Sequence, residues 1–546
     1  MELDKKTKLK FNVLAIVCII IFCVSLSPVT LQNDTYYTIK IGADVIKNGV
    51  SHTDQFSWHE ADLSYTPPHM GYDVMTYFVY EIGGYLGIYI ATVFLACMLG
   101  LTLYFVSTKL TKNNLISFLI TIGVMYLLRD YIAARAQLVT FILFVISVYF
   151  IEMFLQTKKK RYVFGLFLIP IIIANIHLAV WPFYFVLFLP YVGEYIISFD
   201  SELSKWIKKF DIKKLQKKIE KEQDESKKEE LNKKILEVEE RFIRISEKGN
   251  KLREDPYKIK IERTQNTKWL ILIMILCLLT GLLTPFNGTQ PYTHLINIMT
   301  GNTTQHISEH LPMVVINNME FLGVIIVFIG ILMFIDTKIK LRDLLMLGGL
   351  LFLALKTRRQ ASMVYLMGSI ILVRILTAIF DKYDKGGCEE FIKKVVTTHG
   401  RIITVSLVLI ISLLSIQPKI GKPFIEESSY PVHAVEYIKE NVDIENMRLF
   451  NEYNYGSYLL LHDIPVFIDS RSEPYAPEFT GEKDIFTDFI NISGLAVHYE
   501  DKFQEYGITH VIIYKNSKIN LFLSRDENYT QLYEDDSFVF YERHSI

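Results

Sequence analysis

The sequence predicts a polytopic α-helical membrane protein of about eleven transmembrane helices carrying a C-terminal soluble α/β segment. Its 546 residues are 51% hydrophobic and 13% aromatic, and the apolar residues come in long runs separated by short charged loops. The formal net charge of -1 hides a segregation of Lys and Arg into particular loops. After about residue 418 the long runs stop and short β-rich stretches begin. The net value itself says nothing about partners; no nucleic-acid partner is expected. Of the five cysteines, Cys18, Cys23, Cys97 and Cys277 fall inside apolar runs, so no disulfide framework or cysteine metal site is expected outside.

The first run follows Lys5, Lys6, Lys8 and Lys10 as a signal sequence would, yet it continues for about 20 residues without a small-residue cleavage site, so it reads as a retained helix. Apolar runs then recur at 11-31, 84-107, 115-128, 138-155, 162-176, 178-199, 268-284, 319-336, 343-355, 361-380 and 402-417. A cytoplasmic N-terminus places Lys109 to Lys112, Lys158 to Arg161, the 200-267 segment, Lys338 to Arg342 and Lys382 to Arg401 inside, all of them basic, as the positive-inside rule requires. The loop 285-318, on the other side, has no Lys or Arg. The expected organisation is therefore a transmembrane part over 1-199 with a large first outer loop at 32-83, a charged cytosolic helical insert at 200-267, a second transmembrane part over 268-417, and an extracytoplasmic α/β domain at 418-546.

The insert, with "KKLQKKIEKEQDESKKEELNKKILEVEERF", carries Leu, Ile and Val at helix-like intervals and reads as a hairpin, a solvated spacer or a docking site for a cytosolic partner. In the C-terminal segment "RLFNEY", "IPVFIDS" and "THVIIYK" read as strands between helices or turns. Asp469 and Arg471, two apart on an extended stretch, point the same way and suit a structural ion pair.

On this topology the unusual polar residues gather outside. Asp34, His52, Asp54, His59, Glu60 and His69 lie in the first outer loop, Arg129, Asp130 and Arg135 in the second, His177 in a tight turn, Glu309 and His310 in the fourth, and Arg358 and Arg359 at a helix end. Singly, an arginine at a helix end snorkels to headgroups and a loop histidine is solvated. Together, Asp34, Asp130 and Glu309 with the arginines form a set suited to an anionic headgroup and either a divalent cation such as Mg²⁺ or Mn²⁺ or a nucleophile. Glu152, Glu194 and Arg374, near inner helix ends, read as interfacial anchors. Asn287-Gly-Thr and Asn302-Thr-Thr match glycan acceptor sequons, read as incidental.

Asp34 in "NDTYY", followed by "IKNGVSHTDQFSW", resembles the first loop of glycosyltransferases of the C superfamily (GT-C). Within that superfamily, "HISEHLP" at 306-312 resembles the S-V-S-E-H-Q-P loop of the oligosaccharyltransferase catalytic subunit. "NEYNYGSYLLLHDIPVFIDSRSEPY" at 451-475 resembles its W-W-D-Y-G segment with the strand and Asp beyond, and "YGITHVII" at 506-513 a later strand. The resemblance implies a polyprenyl-phosphate-linked sugar donor entering from the membrane lipid and an extracytoplasmic glycan or protein acceptor. It implies catalytic roles for Asp34 and Glu309, a metal held by Asp34, Asp130 and Glu309, and donor phosphate held by Arg129, Arg135, Arg358 and Arg359. The pocket or acceptor side would draw on Asp54, His69, His177, His310 and Tyr455.

Two departures stand out. "LRDYIAARAQ" offers one acid with two arginines where the family has paired acids. Glu452, Tyr453 and Asn454 replace the W-W-D that reads the sequon Ser or Thr, while Tyr455 and Gly456 persist. The expected function is sugar or glycan transfer to an acceptor read differently from a sequon. The alternative is a non-enzymatic component of surface polysaccharide assembly or export that binds lipid-linked glycan. An ion-coupled transporter fits less well, because the sequence shows neither an internal repeat nor many mid-helix charges apart from Glu152, Glu194 and Arg374.

Overall fold

Apolar sequence of membrane length has one satisfactory outcome in a bilayer, helix, because every backbone polar group must be bonded within the segment. The computed structural model describes all residues except 1-2, 60-62, 198-201, 255-257, 263, 265, 285-289, 302-305, 335, 482-483 and 545-546, and the side chains of 202-204 and 248-254. Glu60, Asn287 and Asn302 thus lie outside the described residues. Helix fills most of each of the eleven apolar runs. Among the described residues six helical segments are long and apolar enough to cross a membrane: Lys5–Leu26, Met70–Thr111, Gln137–Thr157, Leu178–Ile197, Arg358–Tyr383 and Thr398–Lys419. Three shorter apolar helices accompany them, Asn114–Leu127, Thr267–Leu282 and Met319–Phe334. The chain is an integral membrane protein by this measure.

We label α1 Lys5–Leu26, α2 Asn33–Asn48, α3 Met70–Thr111, α4 Asn114–Leu127, α5 Gln137–Thr157 and α6 Lys160–Ile176. Asp4 caps α1 by accepting from the Thr7 amide at 2.9 Å. α3 bends at Gly84, whose φ of 56° is a left-handed conformation open to glycine. Its first part therefore packs on α2 while the remainder joins the helical core. The approach of α2 to α3 is close at Gly42, where an added Cβ would fall 2.2 Å from the Asp73 carbonyl oxygen.

The 200-267 insert contains the helices Glu202–Ile219 and Glu225–Glu254, packed on each other. Beyond it β1 (Ile259–Lys260) pairs in parallel with β2 (Ile339–Lys340). There the three residues expected as interfacial anchors prove to be members of a buried ion-pair network. Arg342 reaches Glu152 and Glu194, each at 3.2 Å, and Glu262 at 2.8 Å; Arg374 reaches Glu152 at 2.9 Å and Asp343 at 2.6 Å. Charges this deep persist because each has a partner.

The C-terminal segment builds a four-stranded mixed sheet in the order β3-β4-β6-β5, with β3 Leu449–Phe450, β4 His510–Tyr514, β5 Tyr529–Glu534 and β6 Phe538–Arg543. β3 runs parallel to β4 and β6 antiparallel to both β4 and β5. The 32-83 segment and the helix residues that flank it do not stand apart from this sheet. Leu31, Tyr36 and Ile88 share one core with Tyr430, Tyr455, Tyr458, Ile512 and Phe538, and Leu63 shares another with Phe450 and Phe467. The two are also locked by charge. Arg471 donates to Asp469 at 2.6 Å and, 417 residues away in sequence, to Asp54 at 2.5 Å.

Candidate active site

Asp34 lies in the first turn of α2, where a carboxylate also complements the helix dipole. The junction that precedes it is strapped to the C-terminal segment. The Thr30 hydroxyl donates to the Pro423 carbonyl at 2.9 Å, the Leu31 amide to the Phe424 carbonyl at 2.9 Å, and the Asn33 side-chain amide to the Tyr453 carbonyl at 2.9 Å. The helix Tyr453–Leu461 packs on α2. The "NEYNYG" segment is thereby held beside Asp34, and Asp34, Arg135 and Glu309 are all charges felt by the Tyr453 hydroxyl.

Arg135, from the loop before α5, joins two of the predicted carboxylates. Its Nη2 lies 2.9 Å from Asp34 Oδ2 and its Nη1 donates to Glu309 Oε1 at 3.1 Å. Burial alone would raise the Glu309 carboxyl, but Arg135 and then Arg359 outweigh it and hold it below the usual range. The cluster is open on one side, with the Asp34 and Arg135 side chains each 26% exposed and Glu309 45%.

The Glu309 loop is held by the turn Arg358–Gln360. The Arg359 amide donates to the Glu309 carbonyl at 3.1 Å and the Arg358 amide to the Leu311 carbonyl at 3.0 Å. Arg358 Nε reaches the Pro312 carbonyl at 3.4 Å. Arg359 of this turn acts on three imidazoles, His177 buried and His69 and His310 half-buried. The rings of His69 and His177 are 5.0 Å apart. Burial, then Arg359 and Arg135, push His69 down to about 3, and burial and His69 push His177 well below its usual value. His310, depressed by burial and Arg359, is held at about 4. These rings are neutral at physiological pH. Two further members escaped the sequence reading, His294, pushed down to about 3 by burial and His69, and Glu473, raised to about 8 by burial against the pull of Arg471. They approach to 3.4 Å. A single histidine in an amphipathic helix and a glutamate beside a proline carry no signal in the chain that would unite them.

Four expected residues do other work. Arg129 is committed to Glu320 through contacts of 2.7 and 3.0 Å and lies over the Tyr126 ring at 4.3 Å, which leaves it no free fork for a phosphate. Asp130 is 77% exposed and 3.8 Å from Arg129, away from the Asp34 cluster. Asp54 is sealed in the Arg471 ion pair, which outweighs burial and lowers its carboxyl. Tyr455 is wholly buried, donating to the Ile512 carbonyl at 2.7 Å and accepting from the Glu452 amide at 3.2 Å, so it belongs to the core of the C-terminal segment.

Among the described residues no three His, Cys, Asp or Glu side chains converge as a metal site. The donor set expected for Mg²⁺ or Mn²⁺ does not fit that ion here: Asp130 is elsewhere, and a guanidinium lies between the other two carboxylates.

The helical membrane part, its loops and the C-terminal sheet together are similar in fold to solved oligosaccharyltransferase structures. The likeness is to the enzyme of Archaeoglobus fulgidus. Its structure tethered to an acceptor peptide containing the NVT sequon matches with a TM-score of 0.53 at 10% identity, over 92% of this chain and 69% of that one. The archaeal enzyme AglB in complex with an inhibitory peptide and a dolichol-phosphate gives 0.54 at 10% identity, over 93% and 70%. The apo form gives 0.53 at 10% identity, over 93% and 69%. No family model and no curated protein matches the chain in sequence. At 10% identity the likeness is one of fold.

Proposed function

We propose that this chain is an integral membrane glycosyltransferase that moves a sugar or glycan from a polyprenyl-phosphate-linked donor to an extracytoplasmic acceptor. The observation that carries the proposal is the meeting of Asp34 and Glu309, from separate outer loops, on one guanidinium beside the C-terminal helix at Tyr453. The archaeal enzyme of the same fold was solved with an acceptor peptide and with a dolichol-phosphate, which supports a lipid-borne donor and an outside acceptor here.

In this reading the acceptor nucleophile attacks the anomeric carbon. The bond from that carbon to the phosphate oxygen breaks, and its electron pair leaves with the phosphate. The acceptor proton passes to Asp34 or, through it, to water. Arg359, with Arg358 beside it, supplies fixed positive charge for the leaving phosphate, an interaction that strengthens as charge develops. Neutral His69, His177 and His310 can exchange hydrogen bonds with sugar hydroxyls without adding charge. Glu452, Tyr453 and Asn454 at the acceptor side support an acceptor other than a sequon peptide. The site faces outside, with the N-terminus in the cytoplasm.

The test is purified protein in nanodiscs with a panel of polyprenyl-linked sugars and candidate acceptors, scoring donor loss by mass spectrometry. Consumption by wild type that Asp34→Asn and Glu309→Gln both abolish supports the proposal. Tight donor binding without consumption for any acceptor transfers the weight to a non-enzymatic lipid-linked glycan binder.

A further inference from the structure

Two carboxylates from distant loops stand close enough to share a cation, and the cation they share belongs to the protein. Arg135 uses one terminal nitrogen for each, 2.9 Å to Asp34 and 3.1 Å to Glu309. Its position is fixed from both sides in the chain: its amide donates to the Ala133 carbonyl at 2.8 Å, and its carbonyl accepts from the Leu138 amide at 3.3 Å at the start of α5. A guanidinium is charged at every accessible pH and its fork matches carboxylates, so this cation is neither lost to solvent nor titrated.

Charge counting agrees. Asp34 and Glu309 contribute two negative charges; Arg135 and Arg359, which both act on Glu309, contribute two positive ones. A divalent ion entering this set meets no excess negative charge and is repelled by a guanidinium at contact distance. It also finds two carboxylates whose inner oxygens are already engaged, where Mg²⁺ needs about six oxygen ligands at roughly 2.0–2.1 Å.

We infer that Arg135 is the resident cation of this site, standing between Asp34 and Glu309 in the place where the resemblance implies a divalent metal, so that the chain operates without one. The role of Arg135 in turnover rests on the transferase proposal; its exclusion of metal does not.

The probe is Mn²⁺ alone, titrated into the full chain in nanodiscs and followed by electron paramagnetic resonance. Wild type is expected to show no saturable binding. Arg135→Ala is expected to gain Mn²⁺ affinity by about tenfold or more, the order of effect of removing one like charge at contact, and Asp34→Asn/Arg135→Ala to lose that gain. Arg135→Lys, which keeps the charge and much of the stem, is expected to stay silent like wild type, and it decides the matter with the wild-type titration where Arg135→Ala does not fold. Saturable Mn²⁺ binding by wild type that Asp34→Asn removes overturns the inference, as does a folded Arg135→Ala with no gain. In parallel, wild-type donor consumption is expected to be unchanged by EDTA within about twofold. Loss of turnover in EDTA with recovery on Mn²⁺ overturns the inference, whereas wild type that consumes no donor under any condition refutes the transferase proposal and leaves the Mn²⁺ titration to decide this one.

Discussion

Replacing Arg471 with methionine removes a charge that serves two buried carboxylates at once. The Arg471 side chain is 1% exposed, as is that of Asp54, and that of Asp469 is 0%. Arg471 Nε donates to both oxygens of Asp469 at 2.8 and 3.0 Å, Nη2 to Tyr475 at 3.1 Å and Nη1 to Asp54 at 2.5 Å. Phe56 and Tyr65 flank the guanidinium with ring centres at 5.2 and 4.9 Å. Methionine keeps most of the apolar stem, so packing loss is small and the cost is that of stranded charge. Removing one partner from a buried pair costs about 3–5 kcal/mol, and with two carboxylates stranded the upper half of that range applies. Arg471 holds the Asp54 carboxyl below its usual range, so in wild type this stabilisation is present above an unfolded value of about 3.9 and is lost as pH falls through the folded one. In Arg471→Met the unpaired Asp54 carboxyl moves up instead, and acidification from about pH 7 to about pH 5 relieves part of the damage as it protonates. Pulse proteolysis in urea, with hydrogen exchange read over 52-58 and 466-475, measures the loss at both ends of the lock. A variant within about 1 kcal/mol of wild type, or a triple variant with Asp54→Asn and Asp469→Asn no more stable than Arg471→Met, refutes the reasoning.

Three other outcomes follow from the geometry. Glu473, raised to about 8, is protonated in the folded chain where the unfolded glutamate, near 4.3, is ionised, so its contribution to stability falls as pH climbs from about 5 to 8; Glu473→Gln is expected to flatten that slope in urea titrations at several pH values. Gly42→Ala places a methyl 2.2 Å from the Asp73 carbonyl oxygen and must push α2 off α3; with Asp34 untouched, a fall in turnover of about tenfold or more at nearly normal expression is expected, since misplacement of a catalytic group by about 1 Å costs on the order of 100-fold. Arg342→Met strands Glu194, leaves Glu152 to Arg374 alone, and is expected to lower the thermal midpoint measured by a thiol-reactive dye at buried cysteines, with donor binding retained in whatever fraction stays folded.

Much of the helical plan is legible in the chain because apolar runs of membrane length have so few structural solutions. Asp34 and Glu309 were legible too, one as an acid just past the first helix and the other within a loop free of cations. What periodicity could not supply was pairing. Arg129 and Arg135 sit six residues apart in the same loop, and nothing in "LRDYIAARAQ" says that the first is spent on Glu320 while the second joins Asp34 to Glu309. Asp469 and Arg471 were readable as a pair because they are two apart in the chain, although they meet across a turn at 470-471 and not on the extended stretch expected, whereas Asp54, equally bound to Arg471, is 417 residues away. Tyr455 was misplaced for a different reason. A Tyr-Gly motif marks a helix start in the C-terminal segment, and the hydroxyl that suggested a pocket satisfies the Ile512 carbonyl instead. Glu152, Glu194 and Arg374 looked like anchors because each sits near a helix end, and only the packing of those ends turns them into one network.

The central claim is that Asp34 takes part directly in sugar transfer, and a single-turnover measurement tests it most directly. Wild type and Asp34→Asn are each loaded in nanodiscs with a polyprenyl-linked sugar that wild type consumes, donor binding is measured separately, and product is followed by mass spectrometry. Unchanged donor affinity within about threefold, with product formation slowed by about 100-fold or more, is the predicted result, the scale on which removal of a positioned proton acceptor acts. Product formed at the wild-type rate by Asp34→Asn would contradict the account.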